Sequence, residues 1–162
     1  MFQDHVEIYP ARGRAGQPAS TNPIIAAASG QDTFRSGANG AVMARFCWRD
    51  ATNPAWVNNT GTGKPLGFVF NNGTATLERV TDTASMSIRA GMAVTPIVKG
   101  DFFAVSTTAV TVGQKVFAVL ADGTIKTDAP GATVAGAVET DWSAVESVAA
   151  GDVFIMSTWS NA

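Results

Sequence analysis

The chain has 162 residues, the length of a single domain that buries about two-thirds of its unfolded surface. Hydrophobic residues make up 46% and charged residues only 15%, against about 25% charged in typical soluble domains. The net charge of −2 gives no electrostatic case for a nucleic-acid partner, and no apolar run approaches the roughly 18 residues of a membrane span. Sparse charge is typical of a protein packed against partners, and equally of a small Gly-rich β-domain.

Residues 1–40 are predicted to form an extended N-terminal arm and lead-in. Between Tyr9 and Pro23, prolines and glycines recur so closely that neither a helix nor a regular ladder can run through. The backbone groups of such a segment need water or another surface as a partner. We expect it to be poorly ordered in the free protein and to become ordered when it lies extended across a neighbouring subunit, with Arg12 and Arg14 near acidic groups and Tyr9 in an apolar notch. For any single arginine, a solvated charge on a loose terminus is the commoner outcome.

Residues 41–162 are predicted to form the β domain. Their apolar runs have the length of strands and are separated by Gly-Asp, Gly-Gln and Asp-Gly turns. Both faces of the run from Lys115 to Leu120 are apolar, which indicates a strand buried on both sides. The predicted fold is all-β, an antiparallel jelly-roll-like sandwich or barrel. The predicted strands are Ala41 to Trp48, Leu66 to Phe70, Met92 to Val98, Phe102 to Ser106, Lys115 to Leu120, Val134 to Val138 and Val153 to Thr158.

Two turn sequences predict hairpins. The turn Ala121-Asp122-Gly123-Thr124 separates two apolar runs and is the clearest of them. The Asn72-Gly73 dipeptide favours a tight turn, so the segment Thr74 to Val80 is expected to fold back on Leu66 to Phe70.

One short helix is predicted at 144–149. Ser143 and Glu146 have the spacing of a capping box, and Gly151 follows as a stop signal. The short apolar run from Ile24 to Ser29 could be either a strand or a single helical turn.

Residues suited to catalysis or metal binding are scarce. His5 is the only histidine and lies near the N-terminus, so a His-based catalytic triad is not expected. One His, one Cys and scattered Asp residues cannot make the usual zinc sets, and the Asp spacing matches no EF-hand loop. Cys47 lies between Phe46 and Trp48 and is predicted to be a small buried hydrophobe. The sequence therefore predicts no enzyme, no cofactor and no metal.

The four tryptophans divide into two predicted classes. Core packing is the commoner environment of tryptophan and is expected for Trp48 and Trp142. Trp56 and Trp159 each lie at the end of a predicted strand, so they are the candidates for exposed side chains that contact a partner or a sugar.

Segments along the chain resemble a known family. The run Pro10-Ala11-Arg12-Gly13-Arg14-Ala15-Gly16, continuing to Ala19-Ser20-Thr21-Asn22-Pro23, is similar to the N-terminal arm of the structural cement proteins of tailed bacteriophage heads. The likeness covers nearly the whole chain. Later segments follow in the order of that family: Arg45-Phe46-Cys47-Trp48, Gly67-Phe68-Val69-Phe70, Ala90-Gly91-Met92, Gly100-Asp101-Phe102-Phe103 and Gly113-Gln114-Lys115-Val116-Phe117-Ala118.

The resemblance implies a capsid auxiliary protein that binds the outside of a shell built from a major capsid protein. Such a protein is made in the host bacterial cytoplasm and ends on the outer surface of the virion. A small rigid domain that bridges several subunits strengthens a shell under internal DNA pressure, because its many copies act multivalently. The residues expected to contact the capsid or a second copy are Tyr9, Arg12, Arg14, Pro18, Asn22, Pro23, Trp56 and Trp159.

Self-association is also expected, as a dimer rather than a trimer, because doubly apolar strands and sparse charge leave surface to cover. No nucleic-acid or membrane partner is expected. The alternative function is that of a carbohydrate-binding β-sandwich, which predicts exposed aromatic side chains grouped on one concave face.

Overall fold

The computed structural model describes residues 12–30, 33–72 and 86–160. These residues form strands, turns and loops without a helix, which confirms the all-β prediction. No helix capable of crossing a membrane occurs in these ranges. The first eight strands are β1 Ile25–Ala26, β2 Arg35–Ser36, β3 Ala41–Val42, β4 Phe46–Arg49, β5 Trp56–Asn58, β6 Gly67–Val69, β7 Ser87–Ile88 and β8 Pro96–Lys99. The last five are β9 Asp101–Val105, β10 Lys115–Val119, β11 Ile125–Asp128, β12 Ala137–Ala144 and β13 Val153–Ser157.

The strands are arranged in two large sheets and one small pair. A six-stranded sheet has the order β1-β8-β6-β4-β5-β2, and a five-stranded sheet has the order β11-β10-β12-β13-β9. Strands β3 and β7 pair separately. The pairing is antiparallel as predicted, except that β2 and β5 run parallel. Because β1 and β2 come from the predicted lead-in, that segment supplies both end strands of the six-stranded sheet.

The main core lies between the two large sheets and is rich in aromatic side chains. The Phe68 ring lies 5.6 Å from Phe46 and 5.8 Å from Phe102, both edge to face, and 6.1 Å from Trp142. Such contacts add to the free energy that area burial alone provides. The sandwich is held by this cluster, whose fully buried members also include Val116, Ala118, Phe154 and Met156.

A second core covers the opposite face of the six-stranded sheet. Successive side chains of a strand point to opposite faces, so Phe46 enters the main core while the next residue, Cys47, enters the second. Cys47 has no exposed surface, which confirms the prediction of a small buried hydrophobe, and this burial raises the pKa of its thiol to about 12. The other buried members are Phe34, Ala41, Met43, Val57, Val69, Ile88 and Val94.

The predicted strand from Ala41 to Trp48 is wrong in its middle. Ala44 has a φ of 59°, a left-handed conformation that interrupts an extended strand. The chain therefore turns between β3 and β4. Alternation along this run predicts Phe46 and Trp48 on one face and Met43 and Cys47 on the other. This is confirmed, because Met43 and Cys47 lie in the second core while Phe46 and Trp48 lie in the main core.

The predicted helix at 144–149 is also wrong. Glu146 does not reach back to the Ser143 amide, and its Oε1 instead accepts a hydrogen bond from the Ile155 amide at 2.8 Å. Val148 pairs with Val110 as an isolated bridge. Long-range partners thus hold this segment extended. The strand predicted from Val134 begins at Ala137 and continues to Ala144 as β12.

The hairpin predicted at Ala121 to Thr124 is confirmed. It joins β10 to β11, and Gly123 has a φ of 71°. The Asp122 Oδ1 atom accepts hydrogen bonds from both the amide and the hydroxyl of Thr124. The hairpin predicted at Asn72-Gly73, with its return segment Thr74 to Val80, lies outside the described residues.

Candidate functional site

Residues 12–23, here named the strap, run along the outer edge of β9. The Gly16 amide donates to the Phe103 carbonyl at 2.8 Å, and the Ala19 amide donates to the Asp101 carbonyl at 2.8 Å. These bonds cover what would otherwise be an open edge of the five-stranded sheet. The sequence predicts that the backbone groups of the arm need water or another surface as a partner. For residues 12–23 that partner is β9 of the same chain.

The first end of the strap is fixed by Arg12. Its Nη1 atom donates to Glu146 Oε1 at 2.8 Å and to the Val153 carbonyl at 2.7 Å. The acidic group expected near Arg12 is therefore supplied by the same chain. Arg14 stands at the start of a turn in which the Gln17 amide donates to the Arg14 carbonyl, and its side chain is exposed.

The second end of the strap is fixed by Asp101, which is largely buried. Its Oδ2 atom accepts hydrogen bonds from Ser20 Oγ and from Asn22 Nδ2, both at 2.6 Å. Burial raises the pKa of Asp101, but the hydrogen bonds from Ser157, Ser20 and Asn22 together lower it below its ordinary value. The bonds to Ser20 and Asn22 thus favour the charged form of the carboxylate that anchors the strap.

Beyond the strap lies an exposed surface here named the Trp159 patch, made of Pro23, Ile24, Ile25, Lys99 and Trp159. The Trp159 indole N–H donates to the Pro23 carbonyl at 3.0 Å, and the Lys99 ammonium lies 5.5 Å from the centre of the indole ring. Ile24, Ile25 and Trp159 are 42%, 44% and 42% exposed. The patch is therefore an apolar surface beside a positive charge, with its largest side chain held in place.

Trp56 lies at the other end of the six-stranded sheet, on β5. It is 36% exposed, so the prediction that Trp56 and Trp159 are the exposed tryptophans is confirmed. An open groove of about 690 Å³ lies beside it. Polar side chains of the groove are already bonded within the chain. The side-chain amide of Asn58 donates to Asp50, and that of Asn59 donates to backbone carbonyls. The groove is therefore lined by turns that intrachain hydrogen bonds hold in place, and few of its polar groups are directed at a ligand.

Several sequence-predicted contact residues come together and others do not. Asn22, Pro23 and Trp159 lie close to one another, and Pro18 bridges to Phe102 further along the strap. Arg12 and Arg14 are at the far end of the strap, and Trp56 is remote from the Trp159 patch. Tyr9 lies outside the described residues.

The sequence reasoning missed the residues that anchor the strap and complete the patch. The sequence predicts Glu146 as part of a helix cap and marks neither Asp101 nor Lys99 with a role of its own. No local signal marks them, because their partners are 79 and 134 positions away along the chain. In the sequence, Ile24 and Ile25 are part of a short apolar run that fits either a strand or a single helical turn.

The described residues contain no group of three or more His, Cys, Asp or Glu side chains that could hold a metal ion. Ion pairs there join basic side chains from the first half of the chain to carboxylates from the second half: Arg12 with Glu146, Arg45 with Asp122 at 3.8 Å, and Lys64 with Asp141 at 2.7 Å. These three basic side chains therefore have acidic partners within the same chain. The described surface instead provides area for contact with other proteins, through strand edges, exposed apolar side chains and isolated charges.

Comparison with known proteins gives matches of two kinds. A family model described as XM1 gp53 minor capsid protein matches residues 2–158. A chain from a solved structure described as the capsid of Myoviridae Phage XM1 aligns with a TM-score of 0.57 and 18% sequence identity, over 97% of this chain and 96% of that chain. At that identity the likeness shows a shared fold. The comparison with curated proteins found no match.

Proposed function

Because the chain belongs to the XM1 gp53 minor capsid protein family, we propose that it binds the outer surface of a phage capsid shell and bridges major capsid protein subunits. Membership makes the chain a structural protein of the phage capsid and so a component of the virion. Beyond this membership, the proposal states that the protein binds the outer face of the shell, that its partner is the major capsid protein and that it stabilises the shell by bridging subunits.

The observation that carries the proposal is the length of the family match, which takes in residues 2–158 of the 162 in the chain. The architecture supports it. A sandwich with two packed cores, on both faces of its six-stranded sheet, is a stiff body. A stiff body that contacts two neighbouring subunits resists their separation, and many copies on one shell act together.

The proposed contact residues are those of the strap and the exposed tryptophans. Arg14, Pro18, Asn22 and Pro23 are exposed along one side of the sandwich, and the Trp159 indole bonds to the Pro23 carbonyl at one end of this side. Tyr9 and the exposed residues of the lead-in are proposed to extend this contact, with residues 41–162 and strands β1 and β2 as the body. Arg12 and Trp56 are proposed as secondary contacts, and assembly of a dimer on the shell stays a prediction.

The carbohydrate-binding alternative receives less support. It predicts exposed aromatic side chains grouped on one concave face, whereas Trp56 and Trp159 lie near opposite ends of the six-stranded sheet. Trp48 and Trp142 are buried in the main core.

The test uses shells assembled from the major capsid protein of the same phage. Purified protein is titrated onto the shells, and occupancy and the melting temperature of the shell are measured. We expect saturable binding and a shell that melts at a higher temperature with the protein bound, because ligation stabilises the state that is bound. Absence of binding to complete shells would overturn the proposal. Binding without any rise in shell melting would remove the bridging role.

A further inference from the structure

Three of the four edges of the large sheets are covered by the chain itself. The strap covers the edge of β9. The edge of β11 is bonded through Ile125, whose carbonyl accepts a hydrogen bond from the Thr107 amide at 2.9 Å. The edge of β2 is bonded through Ser36, whose amide donates to the Met92 carbonyl at 2.9 Å. Covered edges cannot add a further strand.

The remaining edge is β1, and it is open. Ile24, Ile25 and Ala26 are all exposed, and β1 is paired on one side only, with β8. In the part of the chain that the structure describes, no other strand pairs with β1. An open edge strand offers a row of backbone donors and acceptors to an extended segment from another chain.

The open edge is continuous with the Trp159 patch. The Trp159 ring is held by its indole bond to Pro23, and the preceding Thr158 amide donates to the Gly100 carbonyl at 3.1 Å. An exposed aromatic side chain that is already ordered loses little conformational entropy on binding, which is why such residues dominate interface energies. Ile24 and Ile25 add apolar area beside it.

The charge of the patch indicates the chemistry of its partner. Lys99 is exposed and forms no ion pair with any described residue. The neighbouring carboxylate, Asp101, is largely buried and already bonded to Ser20 and Asn22. The patch therefore presents a positive charge that an acidic side chain of a partner would complement.

We propose that β1 and the Trp159 patch bind an extended, acidic segment of the major capsid protein, which adds to the six-stranded sheet as a further strand. The proposal rests on the proposed function and names the surface through which it acts. Backbone bonds to β1 would give affinity, while apolar contact with Trp159 and a salt bridge to Lys99 would give specificity.

A second copy of this chain fits the same surface less well. In a two-fold contact of the patch with itself, the Lys99 ammonium would approach the Lys99 ammonium of the second copy, and like charges repel.

The experiment measures the affinity of the full-length protein for shells of the major capsid protein. Ile25→Glu places a negative charge on the open edge, and Lys99→Glu reverses the charge of the patch. Each is expected to weaken binding roughly tenfold or more, because both repel an acidic segment at the centre of the contact. Lys99→Glu should also flatten the dependence of affinity on salt.

The control variants are Val112→Glu, at another exposed apolar residue, and Lys126→Glu, on the far edge strand β11. They should bind as the unsubstituted protein does, and thermal melts should show that all four variants are folded.

If the unsubstituted protein binds shells and Ile25→Glu and Lys99→Glu bind equally well, the patch is not the contact and only this inference is overturned. If the unsubstituted protein does not bind shells, the proposed function falls and the inference with it. If Ile25→Glu changes only the sedimentation of the free protein, the occupant is a second copy, which also overturns the inference.

Discussion

The interior between the sheets and the strap are held by different kinds of interaction. In the interior, Phe46, Phe68, Phe102 and Trp142 are buried and pack ring against ring. In the strap, Gly16 alone is buried, and the contacts are hydrogen bonds and one exposed ion pair. Apolar burial supplies most of the free energy of folding, whereas single polar contacts contribute little each. The interior therefore determines whether the chain folds, and we expect the strap to open without unfolding it.

The largest effect is expected from Phe68→Ala in the interior. The ring has no exposed surface and contacts three other aromatic rings, so its removal leaves a cavity between the sheets. We expect the free energy of unfolding to fall by roughly 3 to 5 kcal/mol, measured by urea denaturation. Phe34→Ala makes the same change in the second core, and its effect on the free energy of unfolding is the comparison. A loss below about 1 kcal/mol for Phe68→Ala would contradict the description of the main core.

A smaller and local effect is expected from Asp101→Ala. The change removes the acceptor of Ser20 and Asn22, and hydrogen bonds to charged groups contribute about 1 to 3 kcal/mol. We expect the strap to open more often while the interior stays closed. Hydrogen exchange should become faster at the Ala19 amide and remain unchanged at the amides of β10. Asp141→Ala is the control, since that carboxylate pairs with Lys64 on the surface. Equal exchange in both variants would show that Asp101 does not anchor the strap.

Acid should open the strap through the same residue. The pKa of Asp101 is lower in the folded protein than its usual value of about 3.9, so the charged form stabilises the fold. This contribution is complete above the unfolded pKa and is lost as the pH falls through the folded pKa. Hydrogen exchange at the Ala19 amide, corrected for its intrinsic pH dependence, should therefore accelerate below about pH 4. Asp101→Asn should remove that acceleration, and a variant that kept it would assign the effect to another group.

The smallest effect is expected from Arg12→Ala. Its ion pair with Glu146 is exposed, with 54% of the Arg12 side chain and 26% of the Glu146 side chain accessible. Surface ion pairs contribute about 0 to 1 kcal/mol, so the free energy of unfolding should change by less than that. Lys64→Ala, which breaks another exposed pair, should behave similarly. A loss of several kcal/mol in urea denaturation would show that the strap is part of the cooperative fold.

The sequence predicted the interior far better than the strap. Alternation identified which side chains of β4 face each core, and the Asp122-Gly123 turn predicted the β10–β11 hairpin, because both are local patterns. The break at Ala44 carried no such signal, since neither Gly nor Pro marks it. The predicted helix failed because Val148 and Glu146 find partners on distant segments, and a local capping pattern cannot anticipate them.

The candidate site was predicted in part. Pro23, Asn22 and Trp159 were singled out, and the structure brings them together, because terminal and strand-end residues tend to lie on the surface. Lys99 and Asp101 were not, since their role depends on contacts 60 and 79 positions apart in the sequence, from Lys99 to Trp159 and from Asn22 to Asp101. The order of the strands in the sheets could not be predicted either, because it depends on pairing between segments that are far apart in the sequence.

Electron cryo-microscopy of shells with and without the protein tests the central claim most directly. The account predicts additional density of the size of the β-sandwich on the outer surface of the shell, touching at least two major capsid protein subunits, with the strap and the Trp159 patch facing the shell. Density on the inner surface, or a single subunit contacted through the opposite side of the sandwich, would contradict it.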